Sequence, residues 1–268
     1  MRFTPIAADG SVNVSKGNPL TEAAWLAGSL VLILVLLYVI LGFVAGWAAM
    51  RLPVGAEVWL GNVVSAGYQG KSNEFLQEHL DQLLHALPHD SPLHSYTFKI
   101  YFDETDKVNA FALPGGGIVV LAGLLNVVES ENELDMVLAH ELGHFYHRDH
   151  LQTMGRSLLL AVGSRVLPGD RASDLVTWIG TKLERKYSQK QEAAADAWGL
   201  DLLNHRYGHV AGALDFFDHL PDREKDRFAY FLATHPDPEE RIRSLQKLIR
   251  QKGYAVGKTV PINRKIVE

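Results

Sequence analysis

Between Glu22 and Arg51 the chain carries no charged residue, and no other stretch limits its folding so strongly. As a helix, residues 23–50 span ~42 Å, against a hydrocarbon core of ~30 Å. The run Leu30-Val31-Leu32-Ile33-Leu34-Val35-Leu36-Leu37 has no polar break, and Trp25 and Trp47 stand near the two ends, as interfacial anchors do. A cleaved signal peptide is the alternative, but the apolar run is too long for one and lacks a strongly basic start. One transmembrane helix and contact with a lipid bilayer are therefore expected. Gly42-x-x-x-Gly46 either packs against another helix or reflects membrane-helix composition alone. Arg2 and Lys16 precede the helix, with Arg51 just after it and Lys71 farther on. That balance slightly favours a cytoplasmic N-terminus, with the large domain on the extracytoplasmic (periplasmic) side.

The remainder of the 268 residues is enough for one sizeable domain. The net charge of −5 argues against a nucleic-acid partner. With no cysteine, disulfide scaffolds, thiolate metal sites and thiol catalysis are excluded, so any metal must be held by histidines and carboxylates. Residues 1–22 read as a flexible tail, 23–50 as the membrane helix, 51–71 as a glycine-rich juxtamembrane connector, 72–255 as the main domain and 256–268 as a second tail. Residues 72–87 have one apolar face and end at Pro88. Residues 95–102, 108–113 and 118–121 read as strands, with Pro114-Gly115-Gly116-Gly117 turning between the last two. Charges and Pro168-Gly169 interrupt the apolar stretches within 155–180, which argues against a second span. The basic-rich end after Glu240 is a solvated face or a contact for anionic lipid.

Within the main domain stands His140-Glu141-Leu142-Gly143-His144. Ser130 and Glu133 form a capping box ahead of it, and the helix is expected to run from about residue 131 to beyond 153. Four residues apart on a helix, His140 and His144 share one face and can hold one zinc ion per chain, with Glu141 beside them as a general base. Two core histidines and a solvated glutamate are the alternative. A catalytic zinc needs a third protein ligand and an open position. The third could be Glu192, in a second capped helix opened by Ser188 and Gln191, or Glu192 and Asp196 could be two solvated acids there. Ala193, Ala194, Ala195 and Ala197 would allow the two helices to approach closely. Asp196, one turn beyond Glu192, is placed to accept a hydrogen bond from a ligating histidine. His147 lies ~10 Å along the axis from His140, too far to share its metal, so His147 and His150 read as structural.

Four motifs in order, Asn109-Ala110-Phe111-Ala112-Leu113-Pro114-Gly115-Gly116, His140-Glu141-Leu142-Gly143-His144, Glu192-Ala193-Ala194-Ala195-Asp196 and Thr234-His235-Pro236, resemble the HtpX, CAAX-prenyl-protease and Oma-type zinc metallopeptidases of the glutamate-ligand (gluzincin) group. The resemblance covers roughly residues 70–250. It implies an α+β, mainly helical domain with a small sheet bordering the cleft, preceded here by one transmembrane helix. It implies zinc on His140, His144 and Glu192, Glu141 as general base, Asp196 orienting a ligand histidine, and His235 approaching the site as a catalytic donor. It places substrate near Asn109, Ala110, Gly116 and Gly117. The chain departs from the many-span branch, which weighs against prenyl-peptide processing. It is more similar to the single-anchor branch, which handles misfolded membrane or envelope proteins. The expected activity is internal cleavage of unfolded or membrane proteins, with substrate adding as a strand along residues 118–121. A zinc-containing chaperone and an exopeptidase are the rivals. The residues do not specify an oligomeric state.

Overall fold

Periodic apolar residues and well-placed caps account for most elements of the computed structural model, which describes residues 18–65, 70–152, 187–220 and 225–262. The expectations for residues 1–17, 155–180 and the chain after 262 lie outside these. The chain divides into two units, Met1–Val44 and Ala45–Glu268. Helix α1, Pro19–Ala49, provides the described part of the first and its end enters the second. With 31 residues and a mean hydropathy of 2.8 over its most apolar window, α1 is long and apolar enough to cross a bilayer.

The second unit is mainly helical with one small sheet. In chain order it comprises α2 (Val54–Ser65), α3 (Glu74–His85), β1 (Lys99–Asp103), β2 (Ala110–Leu113), β3 (Gly117–Leu121), α4 (Ala122–Val127), α5 (Glu131–His147), α6 (Gln189–Tyr207), α7 (Asp215–Asp218), α8 (Lys225–Thr234) and α9 (Pro238–Lys252). Helix α3 buries Phe75, Leu76, Leu80 and Leu83 on one face. Helix α5 is buried along nearly its whole length, because α3, α6 and the sheet surround it.

Helices α5 and α6 meet backbone to backbone. A Cβ on Gly143 would lie 2.8 Å from the Ala195 carbonyl oxygen, and one on Gly199 would lie 3.0 Å from the His140 nitrogen. The approach expected from the alanine run thus depends on Ala195 together with two glycines. A Gly143→Ala chain has no room for its methyl group unless the helices separate. Its expected destabilisation is about 1–3 kcal/mol, with weaker metal binding because the two ligand-bearing helices move apart. Denaturant unfolding of the metal-free chain beside a metal titration checks this, and a wild-type midpoint would refute it.

Three expectations need correction. The strand order is β1-β3-β2, with β1 parallel and β2 antiparallel to β3. Residues 118–121 are therefore in the central strand, hydrogen-bonded on both sides, and offer no edge to a substrate. Strand β2 is at an edge of this sheet, is buried beside α5, and pairs on its other side with no described residue. The Leu121 N–H donates to the Asn109 carbonyl at 3.0 Å, so by alternation the backbone groups of Ala110 and Ala112 point away from β3. Second, within the stretch read only as a glycine-rich connector, residues 54–65 form helix α2, with Glu57 buried. Third, α5 does not run through to residue 153. It ends at His147, Arg148 adopts the left-handed conformation (φ 58°, ψ 29°), and a new helical segment starts at Asp149.

Candidate metal centre

Local sequence delivers each side chain. The Ser130 hydroxyl accepts the Glu133 N–H at 3.2 Å and starts α5, which carries His140, Glu141 and His144 on its inner face. Ser188 and Gln191 form a reciprocal capping box that starts α6, with Glu192 in its first turn and Asp196 one turn later. His235 follows the end of α8, and Arg241 lies in the first turns of α9. All seven side chains are buried.

Ligand atoms of His140, His144, Glu192 and His235 lie within 4.8 Å of one another. The Nε2 atoms of His140 and His144 are 3.1 Å apart. From Glu192, Oε2 is 3.6 Å from His140 Nε2 and Oε1 is 3.5 Å from His144 Nε2. His235 Nδ1 is 3.1 Å from Glu192 Oε1 and 3.3 Å from His140 Nε2. Donors at bonds of ~2.0–2.2 Å on the corners of a tetrahedron stand ~3.3–3.6 Å apart, so this set fits a small divalent cation. His235 Nδ1 lies within the same cluster. Its other ring nitrogen is 3.7 Å from Glu141 Oε1. Glu141 Oε2 is buried with no hydrogen-bond partner among the described residues.

Each α5 histidine has its own carboxylate. His140 Nδ1 donates to Asp196 Oδ1 at 2.8 Å, and His144 Nδ1 donates to Asp149 Oδ2 at 2.9 Å. Both contacts leave Nε2 for a metal. Asp149 is in turn held by Gln191 Nε2 at 2.9 Å. Tyr187 stacks on the His144 ring, with centroids 3.8 Å apart. Arg241 spans the second helix, with Nη1 2.9 Å from Glu192 Oε2 and Nε and Nη2 at 2.8 and 2.6 Å from the two Asp196 oxygens.

These contacts set the charges. Burial and the Arg241 charge hold His140 below its usual pKa, in the neutral form that ligates. Burial also works against charge on His144, but bonds to Asp149 and Glu192 outweigh it and push the ring up to about 9. Burial would raise Asp196, yet Arg241 brings it down to about 2. Glu192 is held far below the carboxylate range: burial acts against this, but the charges of His235 and Arg241 prevail. The metal-free site therefore carries a proton on His144 that a cation must displace. Binding should release about one proton per metal at pH 7.5, and affinity should fall about tenfold for each pH unit below 9. Calorimetric titration in buffers of different ionisation enthalpy measures this, and no release at pH 7.5 would refute it.

The structure brings together His140, Glu141, His144, Glu192, Asp196 and His235. A small cavity beside them is lined by Ala110, Val137, His140, Glu141, Phe216 and Arg241, among others. Asn109 is fully buried just before β2, and neither its amide nitrogen nor its oxygen has a partner among the described residues. Gly116 and Gly117 stand elsewhere. A Cβ on Gly116 (φ +101°) would meet the Thr97 carbonyl at 2.7 Å, and one on Gly117 would meet Leu113 and Tyr101. They are needed for the turn's backbone, and neither is among the cavity's described lining residues. His150 is buried away from the ligands and His147 is exposed. Sequence reasoning missed Asp149, Tyr187 and Arg241, and read Gln191 only as a helix cap, without its bond to Asp149. Only Asp149 had a local signal, a carboxylate five residues beyond His144. Arg241 fell within the basic-rich end read as a solvated face or a contact for anionic lipid.

The description of peptidase family M48 matches residues 71–249. The mitochondrial metalloendopeptidase OMA1 of Arabidopsis thaliana is 31% identical over 180 residues, covering 66% of this chain and 37% of that protein. Metalloprotease LoiP of Escherichia coli is 27% identical over 193 residues, covering 68% of this chain and 74% of that protein. The β-barrel assembly-enhancing protease of E. coli is 28% identical over 214 residues, covering 73% and 44%. This chain thus spans little more than a third of its OMA1 relatives and about three quarters of LoiP. The matched region contains the ligand helices, the edge strand and the histidine of the C-terminal side in one segment, and the chain belongs to peptidase family M48.

Proposed function

We propose that this chain is a membrane-anchored, zinc-dependent endopeptidase that cuts unfolded or membrane-protein segments on the extracytoplasmic side of its membrane, in protein quality control. The observation that carries this reading is the cluster of four buried donors within 4.8 Å of one another beside a buried Glu141 whose Oε2 has no hydrogen-bond partner among the described residues. The name of the β-barrel assembly-enhancing protease supports an envelope setting, and α1 supports a membrane anchor.

His140, His144 and Glu192 would hold the cation. When bound there, it supplies Lewis acidity to a water and to a substrate carbonyl. The chain's own groups do the rest. Glu141 takes the proton from the attacking water and passes it to the leaving amine, as its position beside the ligands allows. Asp196 and Asp149 keep the two imidazoles in the tautomer with Nε2 free. The His235 ring stands beside these donors, and its N–H donates to the developing oxyanion. The substrate backbone pairs with the outward groups of Ala110 and Ala112 on the free edge of β2, and the Asn109 amide receives a neighbouring peptide group. Recognition of this kind reads backbone more than side chains, which suits unfolded segments.

The test uses the full chain in detergent micelles with a permanently unfolded protein as substrate, and measures bound metal on the same sample. One zinc per chain and internal cuts in the product masses support the reading. Single-residue trimming would make it an exopeptidase. Bound zinc with client retention and no cleavage would favour the chaperone.

A further inference from the structure

Glu57 is fully buried on α2, the first helix after the membrane segment, and nothing in the proposed reaction uses it. Its Oε1 accepts from His150 Nε2 at 2.7 Å and from the Gly115 N–H at 3.4 Å. Its Oε2 accepts from Arg148 Nη2 at 2.8 Å and from the Tyr96 hydroxyl at 2.7 Å. One carboxylate thus joins α2 to the break after α5 and to the glycine turn between β2 and β3. Burial opposes its charge, but the His150 and Arg148 contacts bring Glu57 down to about 2, so it is an anion at neutral pH.

Independent contacts hold the same three parts. A Cβ on Gly61 would lie 2.2 Å from the Pro114 carbonyl oxygen, so α2 rests directly on the glycine turn. Arg148 also donates to the carbonyls of Met50 and Leu52, where the chain leaves α1, at 3.0 and 2.7 Å. Arg148 itself is in the left-handed region, which side-chain-bearing residues adopt infrequently and which persists where their surroundings impose it. That conformation ends α5 and turns the chain so that the next residue, Asp149, faces His144 Nδ1. His150 Nδ1 lies 3.4 Å from the His144 carbonyl oxygen.

We propose that Glu57 is a positioning residue of the metal centre: through Arg148 and His150 it fixes the turn that presents Asp149 to His144, and through Gly115 it fixes the end of edge strand β2. The helix next to the membrane anchor is then part of the site. The proposal rests on the metallopeptidase reading, and its test is built so that the two fail separately.

The experiment uses the full chain in detergent micelles, wild type beside Glu57→Gln, which keeps the side-chain shape, and Tyr96→Phe, which removes one bond and keeps the charge. Zinc affinity is read by competition with a chromogenic chelator, at a temperature where every variant is folded. Amide hydrogen exchange is read on the metal-free chains. Glu57→Gln should weaken zinc binding about tenfold, and Tyr96→Phe by less. Exchange should quicken at Gly115 and over residues 148–152, and stay unchanged in α3 and α9. Wild-type zinc affinity and wild-type exchange in Glu57→Gln would overturn the proposal, even if its thermal midpoint fell, because Glu57 would then stabilise without positioning. If wild type itself binds no zinc, the metal reading fails and the exchange arm decides alone: faster exchange at those two segments supports the positioning role, and unchanged exchange refutes it.

Discussion

A Glu141→Gln chain should bind metal as tightly as wild type and cleave about 10²–10⁴ times more slowly. The two halves of that expectation have different origins. The proposed ligands are His140, His144 and Glu192, and the two α5 histidines donate from Nδ1 to Asp196 and Asp149. Glu141 makes no hydrogen bond to any of these groups and approaches only the outer nitrogen of His235, at 3.7 Å, so the affinity should hold. The amide keeps the size of the carboxylate but cannot take a proton from water, so turnover should collapse. Metal content and initial rates on one preparation measure both. A variant that keeps its zinc and cuts at the wild-type rate would remove Glu141 from the chemistry. One that loses its zinc would show that Glu141 supports the ligand cluster instead.

Arg241→Met should be the most damaging change away from the reacting atoms. The guanidinium is buried and offsets two buried carboxylates, Glu192 and Asp196. Removing one member of a buried ion cluster leaves uncompensated charge and costs about 3–5 kcal/mol. The metal-free variant should lose stability of that order at pH 7. Zinc should restore more stability to the variant than it adds to wild type, because a cation replaces part of the lost charge at Glu192. The pH dependence has a definite sign. Asp196 is depressed from its ordinary 3.8 to about 2, so its pairing stabilises wild type above about pH 4 and is lost as pH falls towards 2. The gap between wild type and variant should therefore narrow below pH 4. Urea unfolding of chelator-treated chains at several pH values tests this. A difference under about 1 kcal/mol at neutral pH would mean the cluster contributes little.

What the sequence alone settled was periodic and local. Residues 23–50 specify a membrane-length helix because charge is absent there. Ser130 with Glu133 and Ser188 with Gln191 start the two ligand helices because capping is a contact over three residues. His140 and His144 share a face because a helix repeats every 3.6 residues. Glu192 and Asp196 could be paired with that face because the motifs resemble a known family. Tertiary structure decided what depends on distant partners. Arg241 reaches Asp196 across 45 positions, and Glu57 reaches His150 across 93. No periodicity records such pairings, since each side chain looks ordinary on its own helix. Strand order was hidden for the same reason: β3 is apolar enough to be central or to border a cleft, and only its pairing with both β1 and β2 leaves the edge at Ala110 and Ala112. The break at Arg148 was equally silent, because the apolar pattern of α5 gives no sign of a left-handed residue, and bonds to Met50, Leu52 and Glu57 hold it there. A short-range pattern can state which residues form an element and which way they face. Which buried charge answers another is settled only when the elements pack, because the cost of burying either charge falls due at that point.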